Sequence, residues 1–273
     1  MKRPAAPVLV RGGGELGSAA ARLIFLSGFP VAVLERDAPL AVRRRVCLAE
    51  AVFAKTATVE ETVGRLVPAS RIREALDEGG FVPVAVDPEA SCLTQLRPDV
   101  LVDARMAKRL LDTRLDQAAL VVGLGPGFVA GRDAHAVIET QRGPNMGRVI
   151  WQGSAEADTS VPTLVAGHAE SRVLRAPRSG VFRGRRRIGD IVHAGDVVAE
   201  IGGTAVAAPI SGLLRGLLAD GVPIRAGAKV GDVDPRGREV DPTRLSDKGR
   251  SVAAGTLEAI LLRISGLTGS AGP

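Results

Sequence analysis

Val8-Leu9-Val10-Arg11-Gly12-Gly13-Gly14-Glu15-Leu16-Gly17 is the stretch that decides how this chain is read. A short apolar run feeds a Gly-x-Gly-x-x-Gly loop made by Gly12, Gly14 and Gly17. An alanine-rich helical pattern continues to Ser27, and a second apolar run, Val31 to Leu34, ends in Glu35. Strand, glycine loop, helix, strand and acid are the sequence of a dinucleotide-type βαβ unit. In such a unit the first glycine allows the tight turn, the second lets a pyrophosphate approach the backbone, and the third lets helix and strand pack closely. The helix N-terminus adds free N–H groups and a positive dipole end. Glu35 lies about 20 residues past the loop, where a carboxylate accepts from a ribose hydroxyl. Gly12, Gly13, Gly14, Gly17 and Glu35 are therefore the cofactor-binding candidates. The competing reading is a loop kept for packing that binds nothing.

The pattern extends outward from this unit. Apolar runs at 8–11, 31–35, 82–86, 99–103 and 119–123 predict strands, and Arg71 to Leu76 predicts a helix closed by Gly79 and Gly80. Ala104 to Leu111 predicts another helix. Apolar strands alternating with helices imply a parallel sheet covered on both faces, with ligands at the carboxyl ends of the strands. Those ends carry Asp103 and Lys108 after the fourth run, and a second glycine loop, Gly123, Gly125 and Gly127, after the fifth. Next come Asp133, His135 and Glu139. If extended, they share one face, since strand side chains alternate with period two. An acid–histidine–acid face could position a proton or a metal; the plainer reading is a polar strand edge with a hydrogen-bonded histidine. Asp103, Lys108 and His135 are the catalytic candidates, expected beside the first loop, with no metal site assigned. Arg43-Arg44-Arg45 either meets phosphates or is a solvated face.

Bulk properties narrow the function classes. The chain has 273 residues, is 45% hydrophobic and carries a formal net charge of +6. Its size fits two domains, or one with an appendage. Only five of the 36 basic residues are lysine, aromatics are 3% and tyrosine is absent. Scattered arginine without stacking aromatics argues against nucleic acid. Two cysteines, Cys47 and Cys92, give neither metal spacing nor a disulfide framework, so a reducing, cytoplasmic setting is expected. Cys47 follows the arginine triplet, which could favour a thiolate, although a buried structural thiol is the simpler expectation. No apolar run approaches the ~18 residues of a membrane span, and Arg11 and the glycines interrupt any signal-peptide core.

The second half repeats itself. Ala176-Pro-Arg-Ser-Gly-Val-Phe-Arg-Gly aligns with Ala208-Pro-Ile-Ser-Gly-Leu-Leu-Arg-Gly, and Gly189, Ala194, Gly195 and Val198 with Gly221, Ala226, Gly227 and Val230. The offset is 32 residues without gaps. One copy cannot bury its apolar face alone, whereas two related by a pseudo-two-fold can enclose a small core. Over residues 172–236 the repeat resembles the biotinyl/lipoyl carrier domain, a barrel-sandwich hybrid. That resemblance places a modified lysine at the hairpin between copies. Here the hairpin is Glu200-Ile-Gly-Gly-Thr-Ala-Val-Ala, without lysine. Covalent biotin or lipoate is not expected, which leaves a docking or structural module. Ser246 to Ile264 predicts a helix with Ser246 as cap and Gly266 as stop, its apolar stripe packing on the first domain.

Taken together, several pieces resemble the accessory family of selenium-dependent molybdenum hydroxylases, often called YqeB-like. They are Arg11-Gly-Gly-Gly-Glu-Leu, Pro39-Leu-Ala-Val-Arg-Arg, Ala49-Glu-Ala-Val-Phe, Asp99 to Arg109, Gly123-Leu-Gly-Pro-Gly-Phe, Asp133 to Thr140, Gly153-Ser-Ala-Glu, the Ala176-Pro repeat and Ser246-Asp-Lys248. The resemblance implies a role in maturing molybdenum hydroxylases, with a hydroxylase or its other maturation factors as partners. The Rossmann-like half is also similar to that of chaperones that load sulfurated molybdenum cofactor. The expected architecture is α/β: a Rossmann-like parallel-sheet domain over 1–168, a small all-β barrel-sandwich domain over 169–240, and a C-terminal helix over 241–273. NAD(P) and a molybdopterin nucleotide both suit the glycine loop. An NAD(P)-dependent oxidoreductase and a non-catalytic docking scaffold are the alternatives; the sequence does not decide whether the chain is an enzyme.

Overall fold

The computed structural model describes residues 7–158, 167–168 and 170–266. The expected boundary between 168 and 169 therefore falls at the margin of the described residues.

A nine-stranded mixed sheet forms the first part. Its strands are β1 (Val8–Arg11), β2 (Val31–Glu35), β3 (Thr56–Val59), β4 (Thr62–Leu66), β5 (Val82–Val86), β6 (Val100–Asp103), β7 (Leu120–Leu124), β8 (Ala136–Ile138) and β9 (Val149–Ile150). Their order is β3-β4-β5-β2-β1-β6-β7-β8-β9. The strands from β4 to β8 are mutually parallel; the β3–β4 hairpin and β9 add antiparallel edges. The order reverses at β1, with β2 and β5 on one side and β6, β7 and β8 on the other. In open parallel sheets that crevice is where ligands sit. β1, β6 and β7 are buried end to end and β2 and β5 in all but their last residue, which is why they appear in the sequence as apolar runs.

Helices cover both faces. They are α1 (Glu15–Leu26), α2 (Ala51–Ala54), α3 (Ile72–Glu78), α4 (Leu93–Leu96) and α5 (Asp247–Ile264). Val8, Val10, Val33 and Val102 face α1 and α5, while Leu9, Leu34, Ala85 and Leu101 face α3 and α4. Small side chains let α5 lie close to its neighbours: a Cβ on Gly249 would sit 3.5 Å from that of Ala19 in α1, and one on Gly255 would sit 1.8 Å from the oxygen of Gly147 in the turn before β9. The two helices run in the same direction. The Ser246 amide donates to Glu15 at 3.2 Å at one end, and Phe29 and Ile264 border one small cavity at the other.

The repeat builds two four-stranded antiparallel sheets. Copy one supplies β10 (Val173–Arg175), β11 (Gly180–Gly184), β12 (Ile191–Val192) and β13 (Val197–Ile201). Copy two supplies β14 (Thr204–Ala207), β15 (Gly212–Leu217), β16 (Pro223–Ile224) and β17 (Lys229–Asp234). The sheets are β10-β17-β15-β12 and β14-β13-β11-β16, so a shift of 32 residues turns one sheet into the other. Each sheet mixes strands of both copies, and neither copy can form without its partner. Phe182, Leu214, Val198 and Val230 share the core between them. The connecting hairpin turns at Gly202 (φ 55°) and Gly203 (φ 82°), as a two-residue loop with both residues left-handed requires.

Two local expectations fail. Ala104–Leu111 is an irregular loop, with Met106 and Lys108 at φ 53° and 59°. Arg105 is tied back to Asp103 and forward to Asp112, and these charge-assisted bonds override a weak helical preference. The segment Asp133–Glu139 is not one extended face, because β8 covers only 136–138 and Asp133 sits in the preceding turn. Among the described residues no helix is long and apolar enough to cross a membrane.

Candidate functional site

The carboxyl ends of β1, β2, β5 and β6 enclose a cleft of about 630 Å³. Gly12, Gly14, Glu35, Asp87, Arg105 and Met106 are among its walls. Three glycines shape one side of it. Gly12 holds φ at +99°, which a side chain would strain. A Cβ on Gly17 would lie 1.9 Å from the Gly12 oxygen, so the helix presses directly on the turn. A Cβ on Gly14 would meet nothing within 4 Å; that position faces open space. No side chain caps α1 at Gly14. The first-turn N–H groups of a helix lack intrahelical acceptors, so this end is suited to an anion.

Glu35 closes the end of β2. Its Oε2 accepts from the Gly13 amide at 2.8 Å and its Oε1 from the Arg36 amide at 2.9 Å. Burial pushes its carboxyl above the usual range, and the two amide bonds pull partly the other way. Glu35 thus holds the glycine loop in place while lining the cleft. Beneath the loop, Arg11 is buried and reaches Asp112 with two nitrogens, at 3.0 and 2.9 Å, and the Pro88 oxygen at 2.8 Å. Arg105 joins the same carboxylate at 2.6 Å and also Asp103 at 2.6 Å, while Thr113 donates to Asp103 at 2.5 Å. Asp103, level with Arg11 across β1 and β6, is therefore a support for Arg105, spent on its neighbours.

A second group gathers at the same end of the sheet. Gly125 packs against Thr140 and Met106, and Gly127 against the backbone of Lys108 and Arg109, so the second glycine loop braces the 104–111 loop. Gly123 lies inside β7, where a Cβ would strike the Phe128 ring. Lys108 is exposed and paired with Asp158 at 2.7 Å. Glu15, in the first turn of α1, accepts the Ser246 amide that opens α5, so two helix N-termini converge on this face.

Lys248, in the first turn of α5, falls within the Ser246-Asp-Lys248 piece of the resemblance but was not among the site candidates. It is half-buried and, among the described residues, has no carboxylate within ion-pair distance. Burial lowers its ammonium below the ordinary range, and Arg142 nearby adds to that. A cation in the first turn of a helix opposes the dipole, so helix stability does not call for it. The available signals were its position two residues after the Ser246 cap and the scarcity of lysine. Arg142 itself pairs with Asp247, whose carboxyl that contact holds down at about 2.

Other candidates stand elsewhere. His135 exchanges bonds with Val121, its amide donating to the Val121 oxygen at 2.8 Å and its Nδ1 accepting the Val121 amide at 2.9 Å. Val121 lies level with Leu9, at the start of the parallel strands, so His135 is at the opposite end of the sheet from the glycine loop. Burial, and then Arg263, lower its pKa. Asp133 is occupied by the Val129 amide and Arg132, and Glu139 by the Gln141 and Glu156 amides. Cys47 is buried and burial pushes its thiol well up, which opposes a reactive thiolate. Of the arginine triplet, Arg43 is buried against Glu15, Arg44 pairs with Glu50, and only Arg45 is exposed. No cluster of metal-ligating side chains occurs among the described residues.

No protein-family model matches the chain. Solved structures it is similar to include an aspartoacylase family protein from Mesorhizobium loti, 13% identical with 86% of this chain and 88% of that one covered, at a TM-score of 0.28. Another is the ectoine utilization protein EutE (DoeB) from Ruegeria pomeroyi, 11% identical with 85% and 86% covered, at a TM-score of 0.26. Likenesses this low carry no argument about reaction or substrate. In sequence the chain is 45% identical over 267 residues to the uncharacterized protein YqeB of Escherichia coli K12. The match takes in 96% of this chain and 49% of YqeB, so the chain spans about half the length of that relative. Over that half, the chain is similar to YqeB.

Proposed function

We propose that this chain binds a nucleotide-bearing cofactor at the glycine loop and acts as an accessory protein in the maturation of selenium-dependent molybdenum hydroxylases. The observation that carries the binding reading is the contrast between Gly17, pressed against Gly12, and Gly14, open to the cleft beside an uncapped helix end. Support for a Rossmann-like domain comes from the order β5-β2-β1-β6-β7-β8, which in sequence rank is third, second, first, fourth, fifth, sixth. The interleaved sheets of the repeat support a barrel-sandwich hybrid module, and its Gly202-Gly203 hairpin supports a non-carrier role. In this reading the diphosphate lies over Gly14 and the first turn of α1, and Lys248 supplies a compensating cation. In this reading Glu35 accepts from a ribose hydroxyl, a role that suits NAD better than NADP and leaves a molybdopterin nucleotide as the other ligand.

The test is titration calorimetry with NAD, NADP, ATP and molybdopterin dinucleotides. Gly14→Val puts a branched side chain where the diphosphate approaches, at a position whose Cβ meets no protein atom within 4 Å. Its unfolding free energy should stay within about 1 kcal/mol of wild type, while binding weakens by well over tenfold. Lys248→Met should weaken binding about tenfold through loss of one charge-assisted contact. Failure of the wild type to bind any of these ligands, or equal binding by Gly14→Val, overturns the reading.

A further inference from the structure

Between the large sheet and the repeat lies a second, larger cleft of about 1380 Å³. Arg44 and Arg45 line one wall and Arg185, Arg186 and Arg187 the other. The repeat supplies its own control for this charge. Thirty-two residues on, the matching positions are Leu217, Leu218 and Ala219, all buried. The strand framework thus accepts apolar residues there, and three consecutive arginines are not needed to build it. Several carboxylates near the cleft are already engaged: Glu50 by Arg44, Glu60 and Glu61 by Arg22, and Asp220 by the Gly184 amide. Arg185 pairs with Glu200, but Arg186 approaches Asp196 only to 3.9 Å, and Arg45 and Arg187 have no ion-pair partner among the described residues. Like charges from two parts of the molecule therefore face a common space, an arrangement that favours an anionic occupant.

The cleft also contains the free edge of the large sheet. β3 is the last strand in the order, and Thr56, Ala57 and Thr58 line the cavity. Val59 pairs with Thr62 across the two-residue Glu60-Glu61 hairpin. In an antiparallel ladder the next residue, Thr58, then turns its N–H and C=O away from β4, as does Thr56. An exposed edge of this kind is a template for another strand. A free phosphate would use the arginines and leave this edge unused; an extended polypeptide uses both.

We propose that the cleft receives an extended, acidic segment of a partner protein, which adds to β3 as a further strand and places its carboxylates against Arg45, Arg186 and Arg187. Backbone hydrogen bonds supply affinity and the alternate acidic side chains supply selectivity. This site is separate from the glycine-loop cleft and stands or falls independently of the nucleotide reading.

The probe is a fluorescein-labelled octapeptide alternating glutamate and valine, which presents its acids on one face when extended. Anisotropy titration of the full chain at low salt should show saturable binding, weakened at least about tenfold by Arg45→Glu with Arg187→Glu. Both residues are exposed, and circular dichroism verifies that the variant folds. The same peptide N-methylated on alternate residues keeps its charge but loses strand donors, and should bind at least about tenfold more weakly. Hydrogen exchange should slow at Thr56 and Thr58 when the unmodified peptide is added. No binding, equal binding by the N-methylated peptide, or full displacement of the peptide by inorganic tripolyphosphate with no protection of β3 would each overturn the proposal.

Discussion

Gly17→Ala is expected to cost about 2–4 kcal/mol of stability and to lower the melting midpoint by roughly 5–15 °C. The added methyl would lie 1.9 Å from the Gly12 oxygen and 3.0 Å from the Ala104 Cβ. Neither neighbour can yield cheaply. Gly12 is held by its amide bond to the Leu34 oxygen at 2.8 Å, and the Ala104 amide is bonded to the Arg11 oxygen at 2.8 Å. Nor can α1 withdraw, because α5 backs it through the close approach of Gly249 to Ala19. The methyl must therefore separate the helix from β1 or distort the turn that defines the cleft. Gly14→Ala is the matched control, with the same chemical change at a position that touches nothing. Urea unfolding of the two variants measures the difference directly. Equal stability would mean that the third glycine is not there for helix–strand packing.

The same physics explains which features were legible in the sequence. The runs at 8–11, 31–35 and 82–86 match β1, β2 and β5 residue for residue, because strands buried on both faces must be continuously apolar. β3 and β4 were missed. They form an edge hairpin whose residues alternate between buried and exposed, and its tip is Glu60-Glu61 in place of the usual glycine-containing turn. The loop after β6 looked helical because alanine, methionine, lysine and arginine favour helices, but a tertiary ion network decides its shape. In the second half the 32-residue echo announced two like copies of short strands without placing each strand, and each copy makes the same four. The glycines of the site were visible as a local motif. Lys248 was noted only within the Ser246-Asp-Lys248 piece and not as a site candidate, because its partial burial arises only when α5 docks beside α1. His135 was misplaced for a topological reason: it precedes a parallel strand, and what precedes such a strand lies at the end away from the ligand crevice.

Removing the Asp112 carboxylate should destabilise the loop from below. Arg11 is 1% exposed, and with Asp112→Ala its guanidinium keeps only the Pro88 oxygen. A buried charge left short of partners is costly, and since Asp112 is itself 41% exposed, the loss should be about 2–3 kcal/mol. The pH dependence identifies the source. Burial opposes ionisation of Asp112, but hydrogen bonds from Arg11 and Arg105 outweigh it and hold the carboxyl at about 2, below its ordinary 3.8. A depressed carboxyl stabilises the fold fully above the unfolded value, and that stabilisation is lost as pH falls through the folded one. Wild type should therefore lose stability between about pH 4 and pH 2, and Asp247, held at about 2 by Arg142, adds to the same window. Asp112→Asn should be less stable than wild type near neutrality, with the gap narrowing across that window as the wild-type carboxyl takes up its proton. Urea midpoints collected through the acid range distinguish the cases: a gap that stays constant down to pH 2 would mean that shape, not charge, is what Asp112 gives to Arg11. Because Arg11 is the residue immediately before Gly12, the variant should also blunt the proposed nucleotide binding at neutral pH. Loss of loop order would then appear as a weaker affinity even where the fold survives.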